Sequence, residues 1–176
     1  IQRVYDLLSV NELGKLVDQS IKGKWTLTVQ DLASLDDGQL NRWELEIDVR
    51  KEAIVELGES PGLRIPDNDP NGIERTLSSP ESGQVKDIEV SIDVTHTYIG
   101  DLAVTLISPS GKNIYLHNRT GGPLDNLIKT YTSATDLGLQ AIREEAVNGM
   151  WRLKVADLEG ADEGKLNRWA LKIFHQ

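Results

Sequence analysis

This 176-residue chain predicts an all-β fold, an antiparallel jelly-roll β-sandwich, on two observations. The first is alternation. Val90, Ile92 and Val94 alternate with Ser91, Asp93 and Thr95, the period-two pattern of a half-buried strand. The second is punctuation. Short apolar runs are separated by Gly, Pro, Asn and Asp at intervals of roughly 8–12 residues, the rhythm of sandwiches and jelly rolls. A third observation sets the domain count. The stretch Trp25–Ile47 recurs as Trp151–Ile173, 126 positions later and without a gap, with 13 of 23 aligned residues identical. A period that long is a whole domain, not a solenoid unit. Residues 1–50 therefore read as the C-terminal part of a truncated first module, and 53–176 as a complete one. The junction falls near Arg50-Lys51-Glu52.

The elements follow in chain order. Val10–Ile21 has a helical look. Trp25, Leu27 and Val29, then Trp43, Leu45 and Ile47, predict two strands joined by a turn at Asp36-Asp37-Gly38. In the complete module the strand at Val90–Val94 comes first. Leu102, Val104 and Leu106 follow the Tyr98-Ile99-Gly100 turn, and Ile114 and Leu116 follow the Ser108–Gly111 turn. Leu139, Ile142, Ala146 and Val147 have helical spacing, which predicts one or two turns within Leu137–Val147. Trp151, Leu153 and Val155 and then Trp169, Leu171 and Ile173 close the module, with Asp162-Glu163-Gly164 as the turn. A lone ribbon is marginal in water. Residues 1–50 are thus expected to be covered, by the complete module, by a partner segment, or by a domain swap with 127–176 of another copy.

Composition narrows the function. A net charge of −9 argues against nucleic acid, whose phosphates need a basic patch, and suits hard cations. The absence of cysteine excludes disulfides, thiol nucleophiles and thiolate zinc sites. No run of 18 apolar residues predicts a membrane span.

His96-Thr97-Tyr98-Ile99-Gly100-Asp101-Leu102 followed by Leu106-Ile107-Ser108-Pro109-Ser110-Gly111 resembles the HTxxGDL…LxSPxG core of the P domain. This is the P/Homo B domain of proprotein convertases and bacterial subtilisin-like serine proteases. The likeness continues through Leu116–Gly122, Asp125-Asn126-Leu127 and Gly164-Lys165-Leu166-Asn167-Arg168-Trp169, and the last block recurs near the start of the chain. The resemblance implies a non-catalytic module, C-terminal to a subtilisin-like catalytic domain in the same polypeptide, which it stabilises or regulates. It implies a secreted, periplasmic or cell-surface protein. Position 99 is Ile, so Arg-Gly-Asp recognition is not expected. The alternative is a jelly-roll adhesion or ligand-binding appendage of a surface protein that is not a protease.

No catalytic residues are assigned. Ser108 and Ser110 flank a proline in a turn and lack the glycine context of a nucleophile elbow. Asp67-Asn68-Asp69-Pro70-Asn71-Gly72 opens like a calcium loop, with oxygen ligands at alternate positions and a glycine for the sharp turn. The twelfth position is Ser78, which excludes an EF-hand. The candidate calcium ligands are Asp67, Asp69 and Asn71, with Asp101 and Asp125 at strand ends. The tryptophans fall on apolar faces and read as core. Tyr98, Tyr115 and Tyr131 are the weaker candidates for stacking on a sugar. His96 and His117 read as hydrogen-bonded structural residues.

Overall fold

The computed structural model describes residues 2–17, 19–35, 37–47 and 53–176. The expected junction at Arg50–Glu52 and Asp36 of the first turn lie outside them. The chain divides into two compact units, 1–47 and 48–176.

The second unit is a β-sandwich of nine strands: β1 (Ala53–Glu59), β2 (Leu63–Ile65), β3 (Asp69–Ser79), β4 (Val85–His96), β5 (Leu102–Ile107), β6 (Asn113–Asn118), β7 (Leu127–Thr132), β8 (Gly149–Asp157) and β9 (Gly164–His175). One sheet runs β1-β9-β4-β7, with β2 continuing the β1 edge along β9. The other runs β3-β8-β5-β6. Every pairing is antiparallel. The connections β4→β5, β6→β7 and β8→β9 each change sheet, which is the jelly-roll path. Between the sheets lie the alternating apolar side chains the sequence marks, including Val90, Leu102, Val104 and Leu106, and the wholly buried Trp151 and Trp169.

Two bulges in the β4–β9 pair adjust its phase. A register shift between Val85 and Asp87 lets both Val85 and Ile88 face inward, although they are three residues apart. A second shift, opposite Asp93 and Val94, places Leu166 and Trp169 on one face of β9. The extra residue there is Asn167. Its side-chain amide donates to Asp93 Oδ1 at 2.9 Å and Thr95 Oγ1 at 2.8 Å. The helical spacing resolves into one turn, α1 (Leu137–Gln140), capped by Asp136 Oδ1, which accepts from Leu139 N–H at 3.0 Å. Leu139, Ile142 and Val147 then reach the core.

The first unit corrects an expectation. A 3-10 helix spans Asn11–Leu16, aligned with α1, but Trp25–Val29 and Trp43–Ile47 form no strands among the described residues. Their apolar side chains are exposed, Trp25 at 38% and Trp43 at 48%. Strand backbone needs a neighbour to take its N–H and C=O groups, and among the described residues no strand pairs with these stretches.

Candidate functional site

The HTxxGDL segment runs from the end of β4 into β5 and is held from all sides. Its centre is His96, whose ring is wholly buried beside the wholly buried carboxylate of Asp157 on β8. Tyr98 N–H donates to His96 Nδ1 at 3.1 Å. The proton therefore sits on Nε2, which donates to Asp157 Oδ2 at 3.1 Å. Asp157 Oδ1 accepts from Glu159 N–H at 3.2 Å. Gly164 on β9 completes the fit, because a Cβ there would come within 2.4 Å of His96 Cδ2. One buried pair thus ties β4 to the end of β8 and to the start of β9.

The rest of the segment is zipped to the glycine-rich loop. Ile99 N–H donates to Leu124 O and Gly100 N–H to Gly122 O, both at 3.0 Å. A Cβ on Gly100 would lie 2.9 Å from Gly122 Cα. His117 Nε2 donates to Ile99 O at 2.8 Å, which fixes its tautomer as well. Both histidines play the structural part expected of them.

Asp101 differs. It is only 8% exposed, and its side chain accepts no hydrogen bond among the described residues. Burial pushes its carboxyl above the usual range, and the charges of Asp157, Asp162 and Glu159 push it further, against a smaller opposing pull from Arg119. Asp69 lies at the same strand end, paired with Asp157 on β8 as Leu102 is on the other side, while the side chains of Asp67 and Asp69 are engaged by backbone. Asp67 Oδ2 accepts from Ala161 N–H at 3.3 Å, and Asp69 Oδ1 accepts from Asn71 N–H at 2.9 Å. Asp69, Asn71 and Gly72 belong to β3, so the stretch read as a calcium loop is a bulged edge strand. Asp125 is exposed. Among the described residues no three His, Asp or Glu side chains are grouped as metal ligands.

The serines reach a carboxylate instead of a histidine. Ser108 Oγ and Ser110 Oγ donate to Glu145 Oε2 at 2.9 and 2.8 Å, which closes the turn after β5. Tyr98 and Tyr115 are exposed, but Tyr131 is buried, so it cannot stack on a sugar, and its hydroxyl has no partner among the described residues. A shallow depression of about 560 Å³ lies on the outer face of the β1-β9-β4-β7 sheet. Gly58, Ser91 and Ala170 floor it, Glu56, Glu89, Arg168 and Lys172 rim it, and no aromatic ring lines it.

The fold and its HTxxGDL lock, closed on a buried histidine–aspartate pair, define a class of jelly-roll module. The profile of that class, the proprotein convertase P-domain, matches residues 8–47 and 85–173. The chain belongs to the proprotein convertase P-domain family. It is 36% identical over 112 residues to a calcium-dependent protease of Trichormus variabilis, covering 62% of this chain and 17% of that protein. It is 33% identical over 85 residues to a transglutaminase-activating metalloprotease of Streptomyces mobaraensis, covering 48% of this chain and 10% of that protein. Among solved structures, a serine protease of Aeromonas sobria superposes with a TM-score of 0.59 at 16% identity, covering 74% of this chain and 28% of that one. The chain thus spans about a sixth or less of the curated relatives it matches. No helix among the described residues is long and apolar enough to cross a membrane.

Proposed function

We propose that this chain is the non-catalytic P-domain region of a secreted or periplasmic, subtilisin-like serine peptidase, and that it stabilises the catalytic domain of the same polypeptide by packing against it. The observation that carries the reading is the match to the P-domain profile over 85–173, the span that builds most of the sandwich core. Both relatives are named as proteases, and both are several times longer than the matched region. One is named a metalloprotease, so attachment to a peptidase is the firmer part and the serine mechanism the finer one. The physical mechanism is linkage: a module that binds only the folded catalytic domain raises that domain's stability. The charged, ring-free depression on the outer face suits a protein contact better than a sugar. The test is the parent peptidase expressed with and without this region. A lower melting temperature and lost activity on deletion are expected; equal values would defeat the reading.

Calcium is the second part of the proposal. The name of the Trichormus relative supports it, and so does the excess of carboxylates, Asp157, Asp162 and Glu159 against Arg119, around Asp101. The sign of the effect follows from linkage. A carboxyl whose folded pKa is raised costs stability above that pKa, and the cost fades as the pH falls through it. In chelator at pH 7, Asp101→Asn is expected to melt a few degrees above the parent, and the gap should close under acid. Calcium acting through Asp101 would raise the parent and leave the variant unmoved. An equal response of both proteins would remove Asp101 from the ligand set.

A further inference from the structure

We propose that β7 is a self-association edge, through which two copies of this chain pair strand to strand about a two-fold axis. Each sheet ends in two edge strands, and an edge turns half of its backbone N–H and C=O groups away from its neighbour. Three of the four edges carry devices that discourage a further strand. Between β1 and β2 the edge is broken by Ser60-Pro61-Gly62, and Arg75 of β3 reaches over to grip Glu59. β3 holds Pro70 and a bulge between Asp69 and Ile73. β6 bulges at Leu116, opposite Val104 and Thr105, and α1 packs on it so closely that a Cβ at Gly138 would meet Ile114 Cγ2 at 2.7 Å.

β7 is built differently. Leu127-Ile128-Lys129-Thr130-Tyr131-Thr132 contains no proline, glycine or acidic residue, and it pairs with β4 without a register shift. Its β-branched and aromatic residues favour a further strand. Its one guard is Lys129, which stands on the inner side with Leu127 and Tyr131. That ammonium lies 4.5 Å from the centre of the Tyr131 ring, folded back along its own strand.

Symmetry and charge select a second copy as the partner. A two-fold axis normal to the sheet pairs β7 with itself antiparallel and keeps both inner faces on one side. With Lys129 on the axis, like charges would stand directly opposite each other. With Thr130 on the axis, each Lys129 stands opposite Tyr131 of the second copy, and each Ile128 opposite Thr132. The same register carries Leu124, ahead of one β7, towards Leu137, behind the other, and symmetry makes that approach twice. Leu124, Ile128 and Leu137 are exposed at 62%, 72% and 79%, so the apolar side chains gathered along this edge have surface to bury. An unrelated strand would match neither the Lys–Tyr pairs nor the apolar ends. A contact this short buries less than a standard interface, so the dimer is a weak one.

Sedimentation equilibrium of the whole chain, carried to about 1 mM, reads the mass. The unaltered chain is expected to pass from monomer to dimer as concentration rises. Thr130 is exposed on the outer face, where a charge leaves the core untouched. Thr130→Lys and Thr130→Glu should each weaken association at least about tenfold, because like charges then meet on the axis. An equimolar mixture of the two variants should restore it as a heterodimer. The amides of 128–132 should gain protection from hydrogen exchange with concentration in the parent and in neither variant alone. A parent that stays monomeric throughout overturns the proposal, and so does a mixture that stays monomeric. Dimerisation that both variants retain unmixed overturns it as well, because the contact then lies elsewhere, for instance at the exposed apolar residues of the first unit.

Discussion

Replacing His96 by Leu is expected to cost about 3–5 kcal/mol, a large share of the stability of a domain this size. The argument is one of orphaned charge. The Asp157 carboxylate has no exposed surface and has two hydrogen-bond donors, His96 Nε2 and Glu159 N–H. Removing the ring leaves a buried anion with one donor, close to the already strained charge of Asp101. Removing both partners is different. The double variant His96→Leu/Asp157→Leu should recover most of the loss, because no ion is left to desolvate and Asp101 loses a repulsive neighbour. Denaturant unfolding of the parent, both single variants and the double variant measures this directly. A single-variant cost under about 1 kcal/mol would show that the pair is incidental to the fold.

Trp169→Ala is the second large effect, about 3–5 kcal/mol or a fall in melting temperature of roughly 10–20 °C. The indole is wholly buried at the centre of the β1-β9-β4-β7 sheet. Its Nε1 donates to Glu59 Oε1 at 2.8 Å, and Glu59 is gripped by Arg75 through two further bonds of 2.8 and 2.7 Å. The Arg75 contact, with the indole bond, holds the Glu59 carboxyl below its usual range. That part of the stability is present above the ordinary Glu pKa and is lost as the pH falls through the lowered one. Trp169→Phe should cost far less, since the ring stays and only the hydrogen bond goes. Trp43 supplies the internal control. It is the same residue in the same motif, yet exposed, and Trp43→Ala should change the stability of this chain by under about 0.5 kcal/mol.

The contrast between the two tryptophans also shows what can be read from residues alone. Alternation locates β4, β5, β6, β8 and β9, because these strands bury one face and wet the other. It does not locate β1, β2, β3 or β7, which lie at sheet edges and carry weaker patterns. At β3 the signal points the other way. Asp69, Asn71 and Gly72 are loop residues by type, and they sit in a strand because a bulge accommodates them. Period-two reading also breaks at the two register shifts of the β4–β9 pair, where inward residues lie three apart. The bond between His96 and Asp157 joins positions 61 residues apart, and no local pattern announces it. The repeat does carry a trace of it: Asp and Gly kept in both copies at 31 and 38 and at 157 and 164. Turn chemistry explains such residues so readily that their tertiary role stays hidden until the histidine is seen beside them.

The position of β9 has a consequence for synthesis. It is the ninth strand made, yet β1, β2 and β4 all hydrogen-bond to it, and Glu59 waits 110 residues for Trp169. A growing chain must therefore hold these earlier strands open until residue 175 clears the ribosome. Closing a loop of that length carries an entropic cost that is met late, so folding of this unit should be slow. Replacing Leu171 and Ile173 on β9 with polar residues should then loosen β1 and β4 together, where the same change on an edge strand would loosen one neighbour.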